Sequence, residues 1–123
     1  MKILIVEDDE ILSELLREYL QQLDHERVQV CSSGHAAVSC FTQPQMESFD
    51  CAFVDLKLPD MDGLDLLDFI KNRDPGLPVV MMSGYSQEEA ESRFPGEQPT
   101  AFIQKPYEIA ILREVVRRSV ANV

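Results

Sequence analysis

The sequence has no tryptophan, only two histidines, and three cysteines among its 123 residues. An odd cysteine count without any Cys-x-x-Cys pair argues against both a disulfide framework and a cysteine-based zinc site. Cys31 and Cys51 stand in apolar, strand-like stretches, where a reduced core thiol is the ordinary state. Positive charge is scarce as well: Lys and Arg total 11 against 22 Asp and Glu, giving a formal net charge of -11. That balance disfavours direct binding to nucleic-acid phosphates, which needs clustered Lys and Arg. It equally disfavours docking on an anionic membrane. The same charge attracts a cation or a basic protein surface. No apolar run approaches the ~20 residues of a membrane span. Met1 to Val6 runs straight into acidic residues, which is not the pattern of a signal peptide. Internal repeats, low-complexity tracts and linkers are also missing. The expectation is one cytoplasmic domain spanning 1–123.

What is present is alternation. Lys2 to Val6 reads as a strand buried on both faces. Ile11, Leu12, Leu15, Leu16, Tyr19, Leu20 and Leu23 recur at helical spacing, predicting a first helix from Glu10 to about Leu23 with Asp9 as its N-cap. Val28 and Val30 mark a second strand. Ser33-Gly34 opens a second helix carrying Ala37, Val38 and Phe41, which Pro44 should stop. Cys51 to Val54 is a third strand ending on Asp55. A loop from Pro59 to Gly63 precedes a helix with Leu64, Leu67, Phe69 and Ile70, closed by Asp74-Pro75-Gly76. Val79 to Met82 is a fourth strand, followed by Ser83-Gly84. Glu88 to Phe94 forms a short fourth helix before Pro95-Gly96. Ala101 to Ile103 is a fifth strand leading to Lys105-Pro106. The last helix runs from about Glu108 to Ala121, with Ile109, Leu112, Val115 and Val116 on one side. Five strands alternating with five helices predict an α/β fold: one doubly wound (βα)5 domain, a five-stranded parallel sheet covered on both faces.

Ligands of open parallel sheets bind at the carboxyl ends of the strands. Here those ends carry Glu7-Asp8-Asp9, Asp55, Ser83 and, just past the fifth strand, Lys105. Acidic groups, a hydroxyl and an ammonium thus converge on one edge. Carboxylates crowded together repel, and a divalent ion relieves the repulsion. All-oxygen ligands suit magnesium. Neither His25 nor His35 lies at such a strand end, so both read as surface or loop residues. A carboxylate beside magnesium and lysine is a nucleophile suited to phosphorus. The two cationic groups would stabilise charge on the transferring oxygens. Asp55 is the best acceptor candidate, since an apolar strand delivers it there. Taken singly, Ser83 could merely form a turn with Gly84, and Lys105 could be an ordinary surface lysine. The convergence carries the reading.

The sequence resembles the receiver domains of two-component response regulators, of the CheY-like, flavodoxin-like type. The resemblance rests on Ile3-Leu4-Ile5-Val6-Glu7-Asp8-Asp9, on Val54 to Gly63, on Met82-Ser83-Gly84-Tyr85 and on Gln104-Lys105-Pro106. It implies Asp55 as phosphoacceptor. It implies Asp8 as the direct Mg2+ ligand, Glu7 as a ligand acting through water, and the Lys57 backbone carbonyl as another. Ser83 matches the switch hydroxyl, Phe102 the switch aromatic and Lys105 the phosphoryl-binding lysine. Lys57 and Tyr85 match positions that tune dephosphorylation. The bond before Pro106 is often cis in the family. Ser83 and Phe102 replace the more frequent Thr and Tyr, so the aromatic here has no hydroxyl.

The implied partners are a sensor histidine kinase or a histidine phosphotransfer protein, and an output domain or downstream protein. The readout face would be helix 4, strand 5 and helix 5, with Gln87, Gln104 and Tyr107 as candidates. The resemblance leaves three contexts open: a stand-alone regulator, a receiver of a transcription factor, and the terminal receiver of a hybrid kinase. Two other functions compete. A haloacid-dehalogenase-type phosphatase would carry Asp-x-Asp on its first strand, whereas here the candidate nucleophile lies on the third strand and Lys57 stands two residues on. A binding module that signals without phosphorylation would not need the acidic cluster, Ser83 and Lys105 together.

Overall fold

The computed structural model describes residues 2–24, 27–43, 48–93, 99, 101–105 and 109–121. Its elements are β1 (Lys2–Val6), α1 (Glu10–Asp24), β2 (Arg27–Cys31), α2 (Gly34–Thr42), β3 (Cys51–Asp55), α3 (Gly63–Arg73), β4 (Val79–Ser83), α4 (Gln87–Arg93), β5 (Ala101–Gln104) and α5 (Ile109–Ala121). All four strand pairings are parallel, in the order β2-β1-β3-β4-β5.

Strand alternation divides the apolar residues between two cores. Leu4, Val6, Ala52, Val54, Val79 and Met81 face one side, against Ala37 and Cys40 of α2, Leu66, Leu67 and Ile70 of α3, and Ala90 of α4. Ile3, Ile5, Cys51, Phe53, Val80 and Met82 face the other, against Leu16 and Leu20 of α1 and Val115 of α5. Every residue of β3 and β4 is buried, as continuous apolar runs in a doubly covered sheet should be.

Local chemistry sets the helix starts. The Asp9 carboxylate accepts the N–H groups of Ile11 (2.9 Å) and Leu12 (3.1 Å), so Asp9 is the expected N-cap of α1. Ser33 caps α2 by accepting the Ala36 N–H at 3.1 Å. In α3, Lys71 and Arg73 occupy the last turn, where positive charge complements the helix dipole.

Some expectations need correction. Gly63 belongs to α3 and not to the preceding loop, because its N–H is held by the Leu56 carbonyl (2.7 Å) as the helix begins. Gln87 already belongs to α4, β4 includes Ser83, and β5 runs on to Gln104. The apolar stripe of α1 is wider than its buried face: Leu16 and Leu20 are buried, but Ile11 is 73% and Leu15 58% exposed. The expectations for His25, Pro44, Phe94 to Gly96, Pro106 with its preceding bond, Tyr107 and Glu108 lie outside the described residues, as do those for the side chains of Leu23, Gln87, Ile109, Leu112 and Val116. Among the described residues, no helix is long and apolar enough to cross a membrane.

Candidate functional site

The strand order reverses direction between β1 and β3, and a crevice opens where their carboxyl ends part. The residues at this place are the ones the strand pattern selects. Glu7 follows β1 and is 2% exposed, Asp55 ends β3 and is buried, and Ser83 ends β4 and is buried. Asp8 is exposed at the rim. Carboxylate oxygens of Glu7, Asp8 and Asp55 lie within 4.8 Å of one another. Lys105 reaches in from the end of β5, and its ammonium contacts Glu7 Oε1 and, at 3.0 Å, Asp55 Oδ2. Asp55, Lys57, Ser83, Gly84, Tyr85 and Lys105 line one cleft of about 390 Å³.

Backbone bonds fix these side chains. The Glu7 N–H donates to the Cys31 carbonyl at 3.0 Å, which ties the acidic turn to β2. Beyond Asp55, the Leu56 N–H donates to the Met82 carbonyl at 2.8 Å, so the chain stays straight past the acceptor candidate. The Lys57 N–H donates to Asp55 Oδ1 at 3.2 Å. Lys57 and Asp62 then pair as an isolated antiparallel bridge that folds the loop back. Gly63 closes this turn: a Cβ there would lie 2.3 Å from the Asp55 carbonyl oxygen and 2.7 Å from Leu56 Cα. The Lys105 N–H donates to the Ser83 carbonyl at 2.6 Å, which aligns the lysine with β4.

The electrostatics are unbalanced. Three carboxylates and one ammonium leave a formal charge of -2. Burial, reinforced by the adjacent Asp55, pushes Glu7 up to about 8, against the opposing pull of Lys105. For Lys105, burial acts downward, but Glu7 and Asp55 outweigh it and hold the ammonium above its ordinary range. Lys105 favours an ionised Glu7, while burial disfavours that form. The upward direction for Glu7 is the physically stronger one, because a single lysine cannot neutralise two carboxylates. Among the described residues, Glu7 Oε2 is also buried with no hydrogen-bond partner. A buried oxygen without a partner among the described residues, an all-oxygen donor set and three crowded carboxyl groups facing one ammonium together fit a hard divalent cation such as magnesium.

The remaining candidates are placed as follows. The Ser83 hydroxyl accepts the Tyr85 N–H at 3.0 Å, so the local turn exists and the residue still faces the cleft. The Lys57 ammonium lies 5.1 Å from the centre of the Tyr85 ring. Phe102 sits opposite Met81 on β5, partly buried against the α2/α3/α4 core and not among the cleft-lining residues. Gln104 is exposed opposite Ser83.

Sequence reasoning missed a second carboxylate site. Asp60 accepts the N–H groups of Gly34 (2.8 Å) and His35 (2.9 Å) and contacts His35 Nδ1, so the loop after Asp55 is pinned to the start of α2. These bonds hold Asp60 down at about 2. The only signal in the sequence was an acidic residue and a helix start 26 positions apart, which no local pattern joins.

Comparison with known proteins identifies the family. A family model described as the response regulator receiver domain matches residues 3–117. The response regulator protein FleR of Pseudomonas aeruginosa is 34% identical over 117 residues, covering 95% of this chain and 24% of FleR. The chain spans about a quarter to a third of the length of the first curated relatives it matches. Among solved structures, the signal receiver domain of a histidine kinase from Syntrophus aciditrophicus is 26% identical with a TM-score of 0.86, covering 99% of this chain and 91% of that one. The receiver domain of the sensor histidine kinase PA1611 from Pseudomonas aeruginosa, solved with a magnesium ion coordinated in its active site cleft, shares the fold at 22% identity and a TM-score of 0.82, covering 98% and 97%. With five parallel strands, helices on both faces and a family match over nearly its whole length, the chain belongs to the response regulator receiver domains of two-component signalling.

Proposed function

We infer that Asp55 accepts a phosphoryl group from a phosphohistidine on a sensor histidine kinase or histidine phosphotransfer protein, in a magnesium-dependent step. One observation carries this reading: the Lys105 ammonium sits 3.0 Å from Asp55 Oδ2, inside a pocket that also gathers Glu7 and Asp8. A lysine held against a buried nucleophile is placed for the charge of an arriving phosphoryl group.

Asp55 is the nucleophile, oriented by the Lys57 N–H on one oxygen and by Lys105 on the other. When the phosphoryl group bonds to Asp55, Lys105 follows its charge. Asp8 and Asp55 would hold the metal directly, the Lys57 carbonyl would add an oxygen, and Glu7 would act through water. Bound there, Mg2+ supplies a compact positive charge that offsets the carboxylates and the transferring oxygens. Ser83 then donates to a phosphoryl oxygen, and Phe102 shifts into the space behind it. Lys57 and Tyr85, in mutual contact at the cleft mouth, govern access of the water that removes the group.

In this reading 1–123 is one phosphoacceptor domain in the cytoplasm, a switch and not a turnover enzyme. It makes no direct contact with nucleic acid or membrane. Its output is a protein partner or attached domain, reached through α4, β5 and α5.

The test uses acetyl phosphate or beryllofluoride, with and without Mg2+, read by intact mass or NMR. Uptake should require Mg2+ and vanish in Asp55→Asn. An Asp55→Asn variant that responds as wild type does would overturn the assignment.

A further inference from the structure

Two of the three cysteines meet, although they lie on different elements. Cys31 ends β2, Cys40 lies in α2, and their sulfurs are 3.6 Å apart in the core between that helix and the sheet. The third, Cys51, is fully buried in the opposite core. The Gln29 side-chain amide donates to Cys40 Sγ at 3.0 Å. An N–H aimed at a sulfur supports the negative charge that the sulfur carries while attacking an oxidant. Cys40 also lines a cleft of about 430 Å³, between the Phe41 and Phe49 rings and the Arg73–Asp74 turn. Cys40 is buried but borders this cleft, and Cys31 stands directly behind it.

We propose that Cys31 and Cys40 form an oxidisable pair that closes to a disulfide when a peroxide enters this cleft. The Cys40 sulfur attacks the O–O bond of hydrogen peroxide, giving a sulfenic acid and releasing one water. The Cys31 sulfur then displaces the hydroxyl, forming the S–S bond and releasing a second water. Two thiols lose two electrons and two hydrogens, and one peroxide is reduced to two waters. The sulfurs, 3.6 Å apart, must close by about 1.5 Å to bond. Burial, with the neighbouring Cys40, pushes the Cys31 thiol up to about 12, so this second step is the slow one and closure becomes faster as pH rises. The bond would join two elements that support the carboxylate pocket. The Cys31 carbonyl holds the Glu7 N–H, and α2 begins at the N–H groups that hold Asp60.

The experiment treats the folded full chain with hydrogen peroxide, blocks remaining thiols by alkylation in denaturant, and reads intact mass and peptide maps. Wild type should lose two hydrogens and yield one cross-linked peptide pair containing Cys31 and Cys40, reversed by dithiothreitol. Cys51→Ser should behave as wild type, and Cys40→Ser should give no intramolecular cross-link. Three alkylatable thiols throughout, a cross-link through Cys51, or Cys40 stopping at an oxygen adduct would each overturn the proposal. The wild-type peptide map decides the matter even where a variant folds poorly.

Discussion

Two carboxyl groups of this molecule, Asp60 and Glu7, are treated in opposite ways. Asp60 is fully supplied: two backbone N–H groups and His35 surround it, and it is held at about 2. Glu7 is starved: one oxygen has Lys105, the other has no hydrogen-bond donor among the described residues, and burial beside Asp55 pushes the group up to about 8. The supplied carboxylate is an anchor, joining the loop after Asp55 to α2. The starved one belongs to a pocket that is short of positive charge by design of its backbone, since β1 and β3 are parallel neighbours and bring their acidic ends together. An acidic residue is thus structural where the fold supplies donors, and receptive to a cation where it withholds them.

This contrast can be broken at several points. The largest effect is expected from Lys105→Ala, which removes the ammonium shared by Glu7 and Asp55. Phosphorylation by a small phosphodonor at saturating Mg2+ should slow by about 10²-fold, the typical loss of one well-placed charge donor. Stopped-flow or mass-resolved time courses give the rate. Gly63→Ala comes next: the new Cβ meets backbone at 2.3 Å, so the loop after Asp55 must shift. A loss of about 1–3 kcal/mol in urea unfolding is expected, as for other overpacked sites.

A third test uses pH. Glu7 has a folded-state value raised from 4.5 to about 8, so its contribution is fully present below pH 4.5 and is lost as pH rises through about 8. Without metal, the melting temperature should therefore decline across that window. In Glu7→Gln the decline should be smaller, and in wild type the gain from added Mg2+ should be greater at pH 8 than at pH 5. Differential scanning calorimetry with and without EDTA reads all three. The smallest effect is expected from Asp60→Asn. Its value is lowered from 3.8 to about 2, so its contribution is present above pH 3.8 and is lost as pH falls through about 2. The variant should change the acid limb of unfolding and leave the slope between pH 5 and 8 as it was, which circular dichroism melts at stepped pH will show.

Much of this arrangement was legible beforehand. The strands are unbroken runs such as Ile3-Leu4-Ile5-Val6 and Cys51-Ala52-Phe53-Val54, each ending on an acid, so period and punctuation place Glu7, Asp8 and Asp55 on one edge. Asp9 announced its helix because capping is a local transaction between neighbours. What stayed hidden depends on distant contacts. Strand ends bring Lys105 to the edge that holds Glu7, but the direct contact between them, 98 positions apart, depends on the packed fold. Ile11 and Leu15 fit a helical stripe, yet packing against the sheet covers only the Leu16 and Leu20 side. Gly63 read as a turn residue, while its role is to let two backbones touch. The pairing of Cys31 with Cys40 required β2 and α2 to be laid side by side first.

The hydroxyl of Ser83 brings a last consequence. Its oxygen accepts the Tyr85 N–H, so a swing toward a phosphoryl group forfeits that bond. A net hydrogen bond is worth about 0.5–1.5 kcal/mol, which weights the resting rotamer by roughly two- to twelvefold. In the proposed switch the side chain would be a weak detent, holding the idle state against thermal noise yet yielding to one charge-assisted contact. Phe102, with no hydroxyl, adds no hydrogen bond of its own to that threshold.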